Sequence, residues 1–178
     1  MSEVNLKVKE ALTKMIANVQ ANPDSSVVPY SATTQLLENV RCSGKVRNMP
    51  EVIIDEPPVL AGGDAGLSPV DHILIALGTC QEIMYSAYAS VMDIPLDSVK
   101  CNLKANLDVK GLFGLDESVP AGFTDISFET YLESPADTDS LMKLAHAAES
   151  HCPVLDMLTR QVPVTGNVTI NGKNMGNI

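Results

Sequence analysis

Residues 73–89 are apolar on nearly every side. A helix of that kind has no face to give to water and belongs at the centre of a fold. Its start is well marked. Ser68 can accept early backbone N–H groups, Pro69 suits the first helical position, and Asp71 favours the positive end. The helix runs to about Met92, where Ile94-Pro95 ends it. Whatever else the chain forms must wrap this element.

The surroundings read as strands in consecutive blocks. Strands are expected over 34–41 and 44–54, with Gly44 and Asn48-Met49-Pro50 as turns or bulges. Pro57 and Pro58 stop regular pairing. Residues 99–109 alternate apolar and polar, as a half-buried strand does. Residues 123–133 repeat the pattern, and 110–122 read as a connecting loop. A second main helix is expected from Thr138 or Asp139 to Ser150, a short helix or turn over 153–160, and a last strand over 162–170. Such blocks give an α+β fold with a mainly antiparallel sheet. Residues 3–20 form a separate amphipathic helix, with Val4, Val8, Leu12, Met15, Ile16 and Val19 on one stripe. The division is an N-terminal helical extension and linker, 1–33, followed by one domain, 34–178.

Of the 178 residues 45% are apolar and 4% aromatic, with no Trp, so the core is built from aliphatic side chains and Met. The formal net charge of −10 argues against nucleic acid and anionic membranes as partners. No apolar run reaches membrane-spanning length. The first twenty residues carry three lysines among apolar residues and no signal-like block. A cytoplasmic location is the expectation.

Four cysteines, Cys42, Cys80, Cys101 and Cys152, are widely spaced and form no CxxC pair. In a reducing compartment they are fillers, ligands or reactive thiols. Cys101 falls on the apolar face of its strand and Cys42 in a short strand, both as small buried side chains. Cys80 lies mid-helix between Gly78-Thr79 and Gln81-Glu82, where polar and small residues interrupt the apolar run. Cys152 precedes Pro153 and is placed at an N-cap, with backbone N–H groups aimed at its sulfur and His151 beside it. These conditions lower a thiol pKa. His72, His146 and His151 do not have metal-ligand spacing, and no cofactor or metal is expected. Phosphate-loop and nucleophile-elbow patterns are absent.

Two segments together carry a resemblance. One runs from Asp55-Glu56-Pro57-Pro58 through Gly62-Gly63-Asp64 and Ser68-Pro69-Val70-Asp71 to Gly78-Thr79-Cys80; the other is His151-Cys152-Pro153-Val154. In this order they resemble the OsmC/Ohr superfamily of osmotically inducible and organic hydroperoxide resistance proteins, over about residues 35–171. The resemblance implies an intertwined homodimer, with curved sheets around long central helices and active sites at the subunit interface. It implies a thiol peroxidase acting in oxidative stress defence. Cys80 would be oxidised by an organic, or inorganic, hydroperoxide to a sulfenic acid and Cys152 would resolve it as a disulfide. A lipoyl-type or small dithiol would restore both thiols. The assisting cation would come from the first strands, Arg41 first and Arg47 second. Peroxidases of the family carry Glu directly after the helix-start Pro; here Val70 stands there and the carboxylate, Asp71, follows one residue later, a rotation of about 100°. Two other readings are a dimer that binds a hydrophobic ligand without catalysis, and a redox or metal sensor using His151, Cys152 and Cys80.

Overall fold

In the computed structural model, which describes residues 4–177, the central helix α2 spans Pro69–Val91. It begins with a reciprocal cap. The Ser68 hydroxyl accepts the Asp71 N–H at 3.3 Å, and the Asp71 carboxylate accepts the Ser68 N–H at 3.0 Å. Two early helical N–H groups that would otherwise lack partners are thereby satisfied or fixed.

The inner face of α2 packs against strand β4, Ser98–Leu107, and helix α4, Thr138–Ser150. β4 pairs antiparallel with β5, Phe123–Glu133, with Cys101 opposite Thr130. The alternation expected for β4 is present: Val99, Cys101, Leu103, Ala105 and Leu107 are the less exposed positions. Gly78 permits the close approach of α2 to this strand, since a Cβ there would lie 2.7 Å from Leu103 Cδ1. Tyr85, Ala89 and Ile94 meet Leu144 and Ala148 to form the buried core. The opposite face of α2 is not covered within one chain: Ile75 is 48% and Ile83 65% exposed.

The first strands divide differently from the expectation. β1 is Thr33–Glu38, β2 is Arg41–Lys45 and β3 is Val52–Ile54, in one antiparallel sheet. The β1–β2 turn sits at Asn39, with φ 47°, a conformation Asn tolerates better than most residues. Gly44 is no turn; it lies in β2 opposite Thr34 and Val52. The expected strand 44–54 is broken by a turn in which Arg47 has φ 53°.

The segment expected as a loop, 110–122, opens with a single helical turn, α3, Val109–Leu112, capped by Asp108. α5, Pro153–Thr159, follows α4. The expected last strand is shorter, β6, Asn167–Ile170, and turns back into β7, Lys173–Asn177. The turn is Asn171-Gly172, both with positive φ, a hairpin signal in plain view in the sequence. The N-terminal helix α1, Leu6–Ala21, is capped by Asn5 and lies on α2, with Lys9 paired to Asp93. The proposed first residue of that helix, Glu3, is outside the described residues.

Between β3 and α2 the chain folds around Asp55, which is 1% exposed. Its carboxylate accepts the N–H groups of Glu56, Gly63 and Ala65 at 2.9, 3.0 and 3.1 Å, and Arg41 Nε at 3.3 Å. Gly62 and Gly66 are required by the closeness of this fold: a Cβ at either would lie within 2.1 Å of a backbone carbonyl oxygen. Burial pushes the Asp55 pKa up, but the bonds from Ala65, Glu56, Gly63 and Arg41 together hold it below the ordinary carboxylate value.

Two outcomes are expected in urea unfolding. Leu144, fully buried, loses about 2–5 kcal/mol of stability on Leu144→Ala, the usual range for a collapsed or open core cavity. Asp55 is more acidic folded than unfolded, so its contribution is present above the unfolded value near 3.8 and is lost as pH falls through the lower folded value. The wild-type chain should therefore lose stability below about pH 4 more steeply than Asp55→Asn.

Candidate functional site

The two cysteines singled out in the sequence meet. Cys80 is carried by the middle of α2, and Cys152 lies between α4 and α5 as the N-cap residue of α5. Contacts of α2 with both α4 and α5 bring the segments together. The Cys152 thiol and the Val154 backbone N–H lie close enough to the Cys80 sulfur to shift its pKa. Cys152 is fully buried and Cys80 partly so.

The N-terminal N–H groups of α5 do not serve the Cys152 side chain, which makes no capping bond. The Val154 N–H acts instead on Cys80, whose pKa it lowers. Burial raises the Cys80 pKa, the Val154 N–H lowers it, and the adjoining Cys152 thiol raises it; the balance lies above the ordinary thiol value. Within one chain, then, the sulfur is positioned but held in its protonated form.

A band of polar groups runs along the inner face of α2 beside the thiols. Glu82 Oε1 accepts the Cys101 N–H at 3.1 Å. The Cys101 sulfur lies 3.5 Å from Thr130 Oγ1, and burial, above all, raises its pKa. The Tyr85 hydroxyl donates to Glu149 Oε1 at 3.0 Å. Gln81, the residue after Cys80, is 1% exposed, and neither amide atom has a partner among the described residues. The His151 ring leans against Tyr88, centroids 5.2 Å apart and planes tilted by 36°, with Nδ1 2.9 Å from the Ala147 carbonyl oxygen.

The other residues named from the sequence lie elsewhere in the chain. Arg41 bonds to Glu38 at 2.6 Å and to Asp55 at 3.3 Å. Arg47 is in the β2–β3 turn. Asp71 is held by the Ser68 N–H and hydroxyl; nine residues before Cys80, it is roughly 13–14 Å away along the helix. Cys42 faces Leu36 and Ile54 across its neighbours. Among the described residues no group of three or more His, Cys, Asp and Glu is arranged to hold a metal ion, and no helix is long and apolar enough to cross a membrane. A cavity of about 750 Å³ lies between the Asp55 loop, the start of α2 and Leu107 to Phe123, apart from both thiols.

Tyr85, Tyr88, Glu82 and Glu149 escape the sequence reading. The tyrosines sit at helical spacing in an apolar run and look like core, which they also are. The two glutamates resemble any solvated acid until the helix faces are known. Asp55 is equally unmarked within an acidic Asp-Glu-Pro-Pro stretch.

Comparison with known proteins places this arrangement. The OsmC-like protein family model matches residues 62–167, more than half of the chain and inclusive of both thiols. The fold is similar to that of an OsmC-like protein from Mycoplasma pneumoniae, with a TM-score of 0.63 and 16% identity over 74% of this chain and 88% of that one. It is similar to an organic hydroperoxide resistance protein OsmC from Legionella pneumophila, with a TM-score of 0.56 and 16% identity over 75% and 90% of the two chains. An organic hydroperoxide resistance protein from Elizabethkingia anophelis gives a TM-score of 0.55 and 18% identity over 76% and 90%. At these identities the likeness establishes the fold. No curated protein sequence matches the chain. The α+β architecture, the antiparallel sheets and the family match lead to one conclusion: the chain belongs to the OsmC-like protein family.

Proposed function

We propose that the protein reduces organic hydroperoxides through a two-thiol cycle. The observation that carries this reading is the packing of α2 on α4 and α5, which sets Cys152 and the start of α5 beside Cys80. The Cys80 thiolate attacks one oxygen of the O–O bond. That bond breaks, the alcohol leaves with a proton, and the sulfur becomes a sulfenic acid. The Cys152 sulfur then attacks the Cys80 sulfur, water leaves, and a disulfide remains. An external dithiol, of lipoyl or small-thiol type, takes the oxidation and restores both thiols. Two family members with the same fold are organic hydroperoxide resistance proteins, which supports the substrate class. Four unpaired cysteines suit a reducing, cytoplasmic setting.

Burial, above all, raises the Cys80 pKa in the single chain, and activation of the sulfur calls for a neighbouring positive charge. The reading assigns it to a homodimer. The uncovered Ile75 and Ile83 on α2, with Leu36 and Leu37 on β1, give the second copy an apolar surface to bury. Arg41 of that copy is the assisting cation, exchanging its Glu38 contact for the site. Asp71 would have to leave its cap to touch peroxide, so its first task is to fix the helix start. The cavity of about 750 Å³ gives some support to the second reading, retention of a hydrophobic ligand, for which solvent extracts of the purified protein would show a bound apolar molecule.

Turnover of tert-butyl hydroperoxide with a dithiol reductant tests the cycle. Cys80→Ser should lower the rate at least about a hundredfold. Cys152→Ser should complete one oxidation and stop at a sulfenic acid that dimedone captures. Equal turnover in wild type and Cys80→Ser would sink the proposal. Alkylation of Cys80 against pH tests the cation. Wild-type dimer should show an inflection below the ordinary thiol value, and Arg41→Met should move it above. A raised inflection in the wild type would remove Arg41 from the mechanism.

A further inference from the structure

We infer that Tyr85 is a positioning residue that, through Glu149, holds the Cys152 turn against the helix carrying Cys80. This rests on the two-thiol reading, since it concerns how the resolving thiol is kept in place. Cys80 and Tyr85 lie five residues apart on one rigid helix, and Tyr88 follows one turn later. The Tyr85 hydroxyl donates to Glu149 Oε1 at 3.0 Å. The Glu149 carbonyl oxygen in turn accepts the Cys152 N–H at 3.3 Å. The residue gripped by Tyr85 is therefore the one that holds the Cys152 backbone. His151 leans against the Tyr88 ring. The end of α4 and the start of the link to α5 are thus tied at two points, Glu149 and His151, to the helix that carries the other thiol.

The hydroxyl is suited to a permanent bond. Tyr85 is 1% exposed. Burial first, and the facing Glu149 second, push its pKa well above the ordinary phenol value, with Thr130 opposing and Cys101 adding to the rise. It stays a donor at every pH at which the protein works.

The consequence is chemical. A disulfide requires its two Cβ atoms about 3.8 Å apart in a narrow geometry. A turn already held beside Cys80 loses less freedom when the S–S bond forms, so each thiol is present to the other at a higher effective concentration. A tyrosine that merely stabilised the fold would favour the dithiol and disulfide forms equally. It would leave the thiol–disulfide equilibrium unchanged. A positioning tyrosine shifts that equilibrium, because without it the disulfide alone must order the turn.

The experiment equilibrates the full chain with glutathione buffers. The balance is protein dithiol plus oxidised glutathione giving protein disulfide plus two reduced glutathione molecules, read by alkylation and mass spectrometry. Tyr85→Phe should lower the Cys80–Cys152 equilibrium constant about tenfold. Glu149→Gln keeps an acceptor for the hydroxyl and should stay within about twofold of wild type, whereas Glu149→Ala should match Tyr85→Phe. Glu149 is only half-buried near the end of α4, so its variants keep the test available if Tyr85→Phe does not fold. Equal constants in wild type, Tyr85→Phe and Glu149→Ala would overturn the inference, as would a Glu149→Gln defect as large as that of Glu149→Ala. If the wild type forms the bridge with glutathione but not with hydroperoxide, the peroxidase reading fails and the positioning role stands. If glutathione forms no Cys80–Cys152 bridge at all, both fail.

Discussion

Everything in this molecule depends on how one face of α2 is buried. Gly78 lets the helix close on β4, and Tyr85 and Ala89 seat it against Leu144 and Ala148 of α4. With those contacts made, the end of α4 has one place to go, beside the middle of α2. The pairing of Cys80 with Cys152 is a by-product of that packing. The thiols are 72 positions apart in sequence and neither has a local partner, so the distance between them is set entirely by tertiary structure.

The chemistry follows from the same constraint. Bringing two sulfurs together in the interior favours disulfide exchange between them but disfavours the thiolate at Cys80. Burial raises Cys80 more strongly than the Val154 N–H lowers it. The proposed reactivity calls for a positive charge beside that sulfur, while Arg41 is occupied by Asp55 and Glu38. The uncovered side of α2 and the unactivated sulfur belong to one physical problem, which the proposed association of two copies would address.

Much of the fold was legible before any coordinates. The cap at Ser68 and Asp71, the alternation expected over 99–109 and the helix to Ser150 each follow from local chemistry; the strand ends at Leu107, because Asp108 caps a helical turn at Val109. The misplaced boundaries have local causes too. Asn39 and Arg47 turn the chain with positive φ, while Gly44, the more obvious breaker, is used for pairing within β2. Asn171-Gly172 carries a hairpin signal that a single last strand over 162–170 leaves unused. The site was half legible. Cys80 and Cys152 stand out by their flanking residues and by the family resemblance. Asp55, Tyr85 and Glu149 do not, because burial of an acid or a paired phenol is decided by elements distant in sequence. The same reason explains the Val154 N–H. Sequence placed it near Cys152, and only the packing of α5 on α2 brings it beside Cys80.

The central claim is that Cys80 and Cys152 act as one redox unit. Peptide mapping of the reduced protein after one equivalent of tert-butyl hydroperoxide tests it most directly. The account predicts a single Cys80–Cys152 disulfide, formed before any change at Cys42 or Cys101 and absent in Cys80→Ser. Oxidation spread over all four cysteines, or a bridge that excludes Cys152, would contradict it.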